Sequence, residues 1–325
     1  MHRLHAQLCR YDSEDWQRAL EAISPDIHEI DRNATRIWFT FWPLDLFLAL
    51  EAAEDLVVLA RKLGLMGRWR LADQVDESHR FFFAHRYWPQ VKNVVAADRQ
   101  WPEELAGIIT AVAGAAARTA RTDPEVLLGM SAVAVMTLRQ AGVQAFAAAP
   151  GRIHLEMVAR RRSAHQVFGL RAKNDWQGLL GFLRGMKKRW TVTFDENNSG
   201  ATFPVINGQE IATAAQGDKR EYRSKDARCT PGEGPIPVEC RAASCGTCWV
   251  GVLAGADRLS AVVERDEGRR MKVFGYIDTN EPKPLIRLAC QARAFGAVSL
   301  VIPPWNGMFG GLLQRQKADA TSHKP

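Results

Sequence analysis

Four of the six cysteines are spaced so that their thiolates could together bind an iron-sulfur cluster. Cys240, Cys245 and Cys248 follow the pattern C-x4-C-x2-C, and 41 residues separate the last of them from Cys290. At this spacing, three thiolates on one loop and a fourth from elsewhere can hold two irons and two sulfides. A tight loop that contains Gly and Ser can also turn backbone N–H groups inward and stabilise the negative charge of that core. The pattern predicts one [2Fe-2S] cluster with these four cysteines as metal ligands.

Two other uses of the cysteines fit the sequence less well. A structural zinc site usually combines two C-x2-C elements, or one such element with a pair of histidines, and here the second half would be Cys290 alone. A set of disulfides would require an exported chain, whereas the N-terminal residues have no apolar segment of the kind found in signal peptides. Cys229 is interpreted as a free loop cysteine, with a resolving thiol or an alternative ligand as the other readings. Cys9 is assigned no role.

The sequence gives no sign of acid, base or nucleophile chemistry. No G-x-G-x-x-G motif follows a predicted strand, and P-loop, G-x-S-x-G and H-E-x-x-H motifs are absent. His79 and His85 lie near acidic residues, but a di-iron bundle would need a second Glu-x-x-His element, so we interpret both as core or surface histidines. We expect no catalytic residues, and electrons that come from another protein.

The elements that position the cysteines change in character near Met186. From about Ser13 to Met186, apolar residues recur at spacings of three and four, which predicts helices. The apolar runs at 105–117 and 126–138 are shorter than the roughly 20 residues that span a bilayer, so we expect buried core helices there. After Met186, alternating residues predict strands at 190–195 and 201–206, further strands are expected at 249–253 and 297–302, and a short helix is expected at 208–215.

The segment from about Arg189 to Pro303 resembles the plant-type [2Fe-2S] ferredoxin family. The matching pieces are Ile236-Pro-Val-Glu-Cys-Arg241, Ser244-Cys-Gly-Thr-Cys248, Leu259-Ser260, Arg287-Leu-Ala-Cys-Gln291 and Gly296-Ala-Val-Ser-Leu-Val-Ile302. The resemblance implies a β-grasp fold in which Cys240 and Cys245 hold the iron nearer the surface and Cys248 and Cys290 hold the inner one. It also implies that Arg241, Ser244 and Thr247 contact the cluster. We expect these contacts to come from their backbone N–H groups more than from their side chains.

The predicted fold class is α+β, with a β-grasp ferredoxin-like domain preceded by an all-α domain. We expect residues 1–186 to form the helical docking or assembly domain and residues 187–310 to form the domain that carries the cluster. Residues 311–325 are predicted to be a flexible C-terminal tail.

Three departures from the family pattern concern the rim of the cluster loop. Ala243 stands where the family usually has Gly, which would cost on the order of 1 kcal/mol if the backbone there requires a positive φ. A charged insert at 217–234 contains Cys229. The stretch between Cys248 and Cys290 is also longer than is usual in the family, with an extra loop expected at 276–284.

The charge of the chain indicates the kind of partner. The net charge is +7 with a pI near 9.2, and residues 187–325 hold 20 Lys and Arg against 15 Asp and Glu. This is far less concentrated than the basic surface of a nucleic-acid-binding protein, so we expect no nucleic acid and favour an acidic protein surface or a membrane face. The basic stretch at 160–190 predicts an amphipathic helix near its end, which either packs on its own domain or rests on an anionic membrane or an acidic partner.

The predicted function is that of an electron carrier or an electron-transfer subunit, and not of an enzyme in itself. The cluster would pass single electrons to or from a partner redox enzyme in the cytoplasm, with peripheral association at the inner face of a membrane as a further expectation. The alternative is a redox sensor or scaffold whose helical domain binds a regulatory target.

Overall fold

A computed structural model describes residues 2–97, 99–173, 188–276 and 283–322. These residues form two compact units, neither of which is a single stretch of sequence. The first contains Met1–Leu48 and Arg70–Phe168, and the second contains Ala49–Trp69 and Gly169–Pro325. The boundary expected at residue 186 lies outside the described residues and stays a prediction, but the structural division differs from it by assigning residues 49–69 to the second unit.

Helices build the first unit, as the sequence predicts. The α-helices up to residue 173 are α1 (His2–Leu8), α2 (Ser13–Ile23), α3 (Glu29–Phe41), α4 (Leu44–Glu51), α5 (Leu56–Lys62), α6 (Trp88–Ala96), α7 (Leu105–Ala120), α8 (Pro124–Ala148), α9 (Met157–Arg161) and α10 (Ala164–Leu170). Of these, α5 belongs to the second unit, and α4 and α10 each cross the division. Short 3-10 helices lie at Ser24–Asp26, Leu71–Gln74 and Phe83–Tyr87.

Helix α8 is the centre of the first unit. It packs along α7, α3 and α6, and every residue from Val126 to Gln140 is buried. A Cβ at Gly129 would meet Oγ1 of Thr35, so the glycine allows α3 to approach closely. Within the described ranges, α8 is the one helix that could cross a membrane by length and composition, and 78% of its apolar window is buried inside the protein. A core helix of a soluble protein passes the same test, and the burial is what the apolar run at 126–138 predicts.

A five-stranded mixed sheet forms the centre of the second unit. The strands of this unit are β1 (Met66–Gly67), β2 (Arg189–Thr193), β3 (Thr202–Ile206), β4 (Gln209–Glu210), β5 (Trp249–Ala254), β6 (Ile286–Leu288), β7 (Arg293–Ala294), β8 (Val298–Val301) and β9 (Trp305–Asn306). The large sheet has the order β3-β2-β8-β5-β6, with β2 and β8 parallel and the other neighbours antiparallel. Strand β1 pairs with β9, and β4 pairs with β7. The later helices of the second unit are α11 (Ile211–Ala215), α12 (Arg269–Phe274) and α13 (Gly310–Ser322). A π-helical turn at Glu264–Gly268 precedes α12.

The predicted mixed domain is confirmed in its main elements. The four predicted strands correspond to β2, β3, β5 and β8 within two residues at each end, and the predicted short helix corresponds to α11. Strand β6 was not predicted, because an alternating pattern of apolar and polar residues cannot be recognised over its three residues. The region predicted as a tail is helical over Gly310–Ser322, where the buried Phe309 accepts the first backbone hydrogen bonds from Leu312 and Leu313.

Residues 49–69 join the second unit through a strand that the sequence did not reveal. Strand β1 pairs antiparallel with β9, and Arg68 donates its backbone N–H to the carbonyl of Pro304. Gly67 has φ +82°, and a Cβ there would collide with that same carbonyl, so the position requires glycine. Arg228 of the insert donates to Oδ1 of Asn306 at 3.1 Å and ties the insert to the same edge.

The amphipathic helix predicted near 174–190 lies for the most part outside the described residues. Its last two positions, Arg189 and Trp190, are in β2 and not in a helix.

Candidate metal centre

The three clustered cysteines lie on an irregular loop that leads into β5. Cys240 and Cys245 are half-buried, whereas Cys248 is 2% exposed because it directly precedes the buried strand. Cys290 is 4% exposed and lies just after β6. Pairing of β5 with β6 and a backbone bond from Ala289 N–H to the Cys248 carbonyl bring the fourth cysteine to the loop. The sheet therefore assembles all four predicted ligands in one place.

Cys240 and Cys245 form the more exposed pair. The backbone N–H groups of Ala242, Ser244 and Cys245 donate to Sγ of Cys240 at 3.2 to 3.4 Å. Burial raises the pKa of Cys240, but hydrogen bonds from Ser244, Ala242 and Cys245 outweigh it and lower this pKa to about 7. The loop is thus arranged to stabilise negative charge on sulfur.

Cys248 and Cys290 form the buried pair, and each thiol shifts the pKa of the other. The Cys248 thiol lowers the pKa of Cys290 to about 6 against the effect of burial, with help from the Gln291 side chain and the Ala243 backbone N–H. The Cys290 thiol, together with burial, raises the pKa of Cys248 well above its usual value. Negative charge on Cys245 raises the pKa of Cys248 further, so the two pairs lie within electrostatic reach of each other.

This arrangement fits a two-iron cluster. Each iron of such a cluster takes two protein thiolates, and the structure supplies two thiol pairs with inward N–H donors around them. In the ranges that the structure describes, no three His, Cys, Asp or Glu side chains are grouped closely enough to hold one metal ion. All six cysteines are free of disulfides.

The cysteine loop needs backbone conformations that most residues avoid. Arg241 has φ +54°, Ala243 has φ +57° and Gly246 has φ +71°. The backbone at Ala243 therefore does have a positive φ, at a cost of about 1 kcal/mol relative to glycine. These turns point successive N–H groups toward the sulfur atoms, which is how backbone groups make an anion-binding concavity.

The three residues implied to surround the cluster are placed differently from one another. Ser244 donates its backbone N–H to Cys240, and Oγ1 of Thr247 lies 3.0 Å from Sγ of Cys245. The guanidinium of Arg241 instead donates to Glu233 of the insert at 3.0 Å. Arg241 therefore ties the insert to the loop through its side chain.

A buried ion pair that sequence reasoning missed holds the segment before Cys290. Glu267 and Arg287 are 1% and 3% exposed, and their two side chains form two parallel hydrogen bonds of 2.8 Å. Glu267 also accepts the backbone N–H of Leu288 at 2.8 Å. The one signal in the sequence is an arginine inside the apolar run 285–289, but nothing in the sequence identified its partner 20 residues earlier.

An aromatic wall closes one side of the loop. The ring of Phe274 lies against Gly246, where a Cβ would come within 2.7 Å of it, and it meets the Trp249 ring at 5.4 Å in a T-shaped contact. Trp249 also contacts Tyr276 at 4.7 Å, and the cluster of rings continues to Trp305 and Phe309. These rings cover the loop on its Gly246 side.

Neither remaining cysteine is placed as a ligand. Cys229 is 3% exposed and contacts the Pro235 carbonyl at 3.5 Å, and burial raises its pKa to about 11. Cys9 is exposed directly after α1 in the first unit, and its Sγ lies 3.9 Å from Nδ1 of His5.

His79 and His85 are core residues whose ring nitrogens are all engaged. Nε2 of His79 bonds the Val75 carbonyl at 3.1 Å, and Nε2 of His85 accepts the backbone N–H of His154 at 3.1 Å. These two contacts assign a proton to Nδ1 of His85, which donates it to Nδ1 of His79 at 3.0 Å. No lone pair is left for a metal ion at either ring.

Comparison with known proteins points to the same chemistry. The family described as "2Fe-2S iron-sulfur cluster binding domain" matches residues 194–295, which include all four cysteines of the site. A protein of Pseudomonas putida named "Ferredoxin, plant-type" is 33% identical over 97 residues, covering 29% of this chain and 72% of that protein. No solved structure gives a significant match. The comparisons indicate a [2Fe-2S] cluster and an electron-transfer role.

Proposed function

Because the chain belongs to the plant-type [2Fe-2S] ferredoxin family through its C-terminal domain, we propose that it is a one-electron carrier or electron-transfer subunit that serves a partner redox enzyme. We further propose that Cys240 and Cys245 bind the outer iron and that Cys248 and Cys290 bind the inner one. A bound [2Fe-2S] cluster would accept and release single electrons.

The observation that carries the proposal is the grouping of the four thiols into a half-buried pair and a buried pair, with hydrogen-bond donors at Cys240 and Cys290. Three backbone donors meet at Cys240, and Gln291 and Ala243 donate at Cys290. Hydrogen bonds to cluster sulfurs and ligand thiolates stabilise the more negative, reduced state, so these donors would raise the reduction potential.

The rest of the site would position and shield the cluster. Phe274 and Trp249 would exclude water from the inner side, while the half-buried Cys240 and Cys245 leave the outer side closer to a partner. Electrons would enter and leave on that side. A separate redox protein would be the donor or acceptor.

The test is purification of the full chain under anaerobic conditions. We expect two irons and two sulfides per chain and a rhombic spin signal that is present only after reduction. Replacing Cys240, Cys245, Cys248 or Cys290 by Ser, one at a time, should impair the cluster. Cys9→Ser and Cys229→Ser are the matched controls and should retain it. Stoichiometric zinc in place of iron, or equal loss in the controls, would refute the assignment.

A further inference from the structure

Helix α12 is fixed directly to the cysteine loop. Its buried residues are Met271 and Phe274, which are 1% and 0% exposed. The Phe274 ring fills the space over Gly246, between Cys245 and Cys248, and touches Trp249 just after the loop. Any shift of α12 would therefore move the wall of the site.

The turn before α12 is attached to the other side of the same site. Glu267, at the end of the π-helical turn, bonds Arg287 and the Leu288 N–H, two residues before Cys290. The helix and its preceding turn are thus anchored both at the loop and at the fourth cysteine. The outward face of α12 lies on the flank of the cluster site.

That outward face is basic. Arg269, Arg270 and Lys272 are exposed, and α12 has no acidic residue. Val273 is 45% exposed beside them and adds an apolar contact. The turn before the helix holds three acids and one cation, of which Arg265 and Asp266 are exposed and Glu267 is buried against Arg287. We call Arg269, Arg270, Lys272 and Val273 the α12 face.

The cysteine loop itself does not share this charge. Its one arginine, Arg241, is paired with Glu233, and Glu239 beside Cys240 is exposed. Of the two segments, it is therefore α12 that carries net positive charge on this side of the site. Charges on one flank of a redox site steer an oppositely charged partner and orient it during encounter.

We propose that the α12 face is the docking surface for an acidic redox protein that exchanges electrons with the cluster. The proposal rests on the proposed function and adds to it the chemistry of the partner. The face has three cations and only one exposed apolar side chain, which suits a polar, electrostatically guided protein contact better than insertion into lipid.

The test measures how fast the reduced, full-length protein gives one electron to small charged oxidants. Anionic hexacyanoferrate(III) takes one electron and becomes hexacyanoferrate(II), and cationic hexaamminecobalt(III) is the opposite probe. Poly-L-glutamate serves as a mimic of an acidic protein surface. With the wild type at low salt, we expect the anionic oxidant to react about tenfold faster than at high salt, and poly-L-glutamate to slow it.

For the variant R269E/R270E, we expect most of the electron-transfer rate to hexacyanoferrate(III) to be lost and poly-L-glutamate to have no further effect on it. Electron transfer from the same variant to hexaamminecobalt(III) should be faster than from the wild type. The control R3E/R10E makes the same change in net charge at two exposed arginines of the first unit, on and just after α1, and should behave like the wild type. Equal losses in the two variants would mean that net charge alone acts and would overturn the docking proposal. No effect of salt or poly-L-glutamate would overturn it as well. A protein without a reducible cluster would instead refute the proposed function before this assay begins.

Discussion

Glu267 holds Arg287 and the peptide of Leu288 at the same time, through three hydrogen bonds of 2.8 Å in a fully buried setting. One carboxylate thereby fixes both the side chain and the backbone of the strand that carries Cys290 into the site. An ion pair of this kind contributes less through net attraction than through the high cost of leaving either charge alone.

Removal of the Glu267 charge should loosen the fourth cysteine. We expect Glu267→Gln to lower the free energy of unfolding by about 3 to 5 kcal/mol, because Arg287 is left buried without a counter-ion. Loss of visible cluster absorbance during urea unfolding would report it. Glu239→Gln removes an exposed charge next to Cys240 and should change little. A double variant, Glu267→Met with Arg287→Leu, should recover part of the loss, and no recovery would argue against an uncompensated charge as the cause.

Gly246 should tolerate no side chain. Gly246→Ala would place a Cβ 2.7 Å from the Phe274 ring at a φ of +71°, so strain and collision act together. Gly232→Ala is the matched control, because it has φ +74° with nothing within 4 Å. We expect the control to lose about 1 kcal/mol of stability and Gly246→Ala to lose clearly more, with a faster release of iron to a chelator. Similar iron release from the two variants would contradict the tight packing of α12 on the loop.

Acid should destabilise the helical unit through His79 and His85. Burial lowers the pKa of His79 from 6.5 to about 3 and that of His85 to about 2. Both stay neutral in the folded protein, whereas the unfolded chain takes up protons near pH 6.5, so their contribution is present above that pH and is lost as the pH falls below it. From pH 6.5 to pH 5 the two together should lower the free energy of unfolding by about 3 kcal/mol.

The check is urea unfolding followed by helical circular dichroism at several pH values. His79→Phe with His85→Leu removes both groups and should flatten the pH dependence over this interval, even if the variant is less stable at pH 7. His165→Gln changes an exposed histidine and should keep the wild-type slope. An unchanged slope in the double variant would show that other groups are responsible.

The C-terminal segment should assemble a cluster on its own but with reduced stability. A fragment of residues 187–322 contains the four cysteines, the sheet and α12, yet it lacks β1, the partner of β9. We expect it to bind iron and to melt at a lower temperature than the full chain, and a peptide of residues 49–69 added in excess should raise that temperature. The same peptide with Gly67→Ala should not, since its Cβ would meet the Pro304 carbonyl. A fragment as stable as the full chain would show that the β1 contact contributes nothing.

The sequence determines the candidate site unusually well because its chemistry is local. The spacing of Cys240, Cys245 and Cys248 predicts three ligands on one loop, and the apolar run at 249–253 fits the buried strand that follows. The positive φ at Ala243 agrees with the family pattern of Gly at this position, since the loop conformation depends on a few adjacent residues.

Contacts between segments that are far apart in the chain could not be predicted from the sequence. Nothing in Met66-Gly67 indicates a strand, because two residues show no alternation and their partner lies near the other end of the chain. The ion pair between Glu267 and Arg287 could not be predicted from the sequence either. Glu267 is one of three acids in a charged turn, and such a pattern indicates a solvent-exposed surface.

The division of the chain between the two units also determines how it can be taken apart. The backbone passes from one unit to the other after Leu48, Trp69 and Phe168. A protease that cut only after Phe168 would nick the protein without releasing either half, because residues 49–69 remain covalently joined to the helical unit at both ends and paired through β1 with β9. Residues 49–69, which contain β1, thus keep the cluster-bearing half attached to the helical half after one cut. Complete separation requires a second cut or the loss of the pairing between β1 and β9.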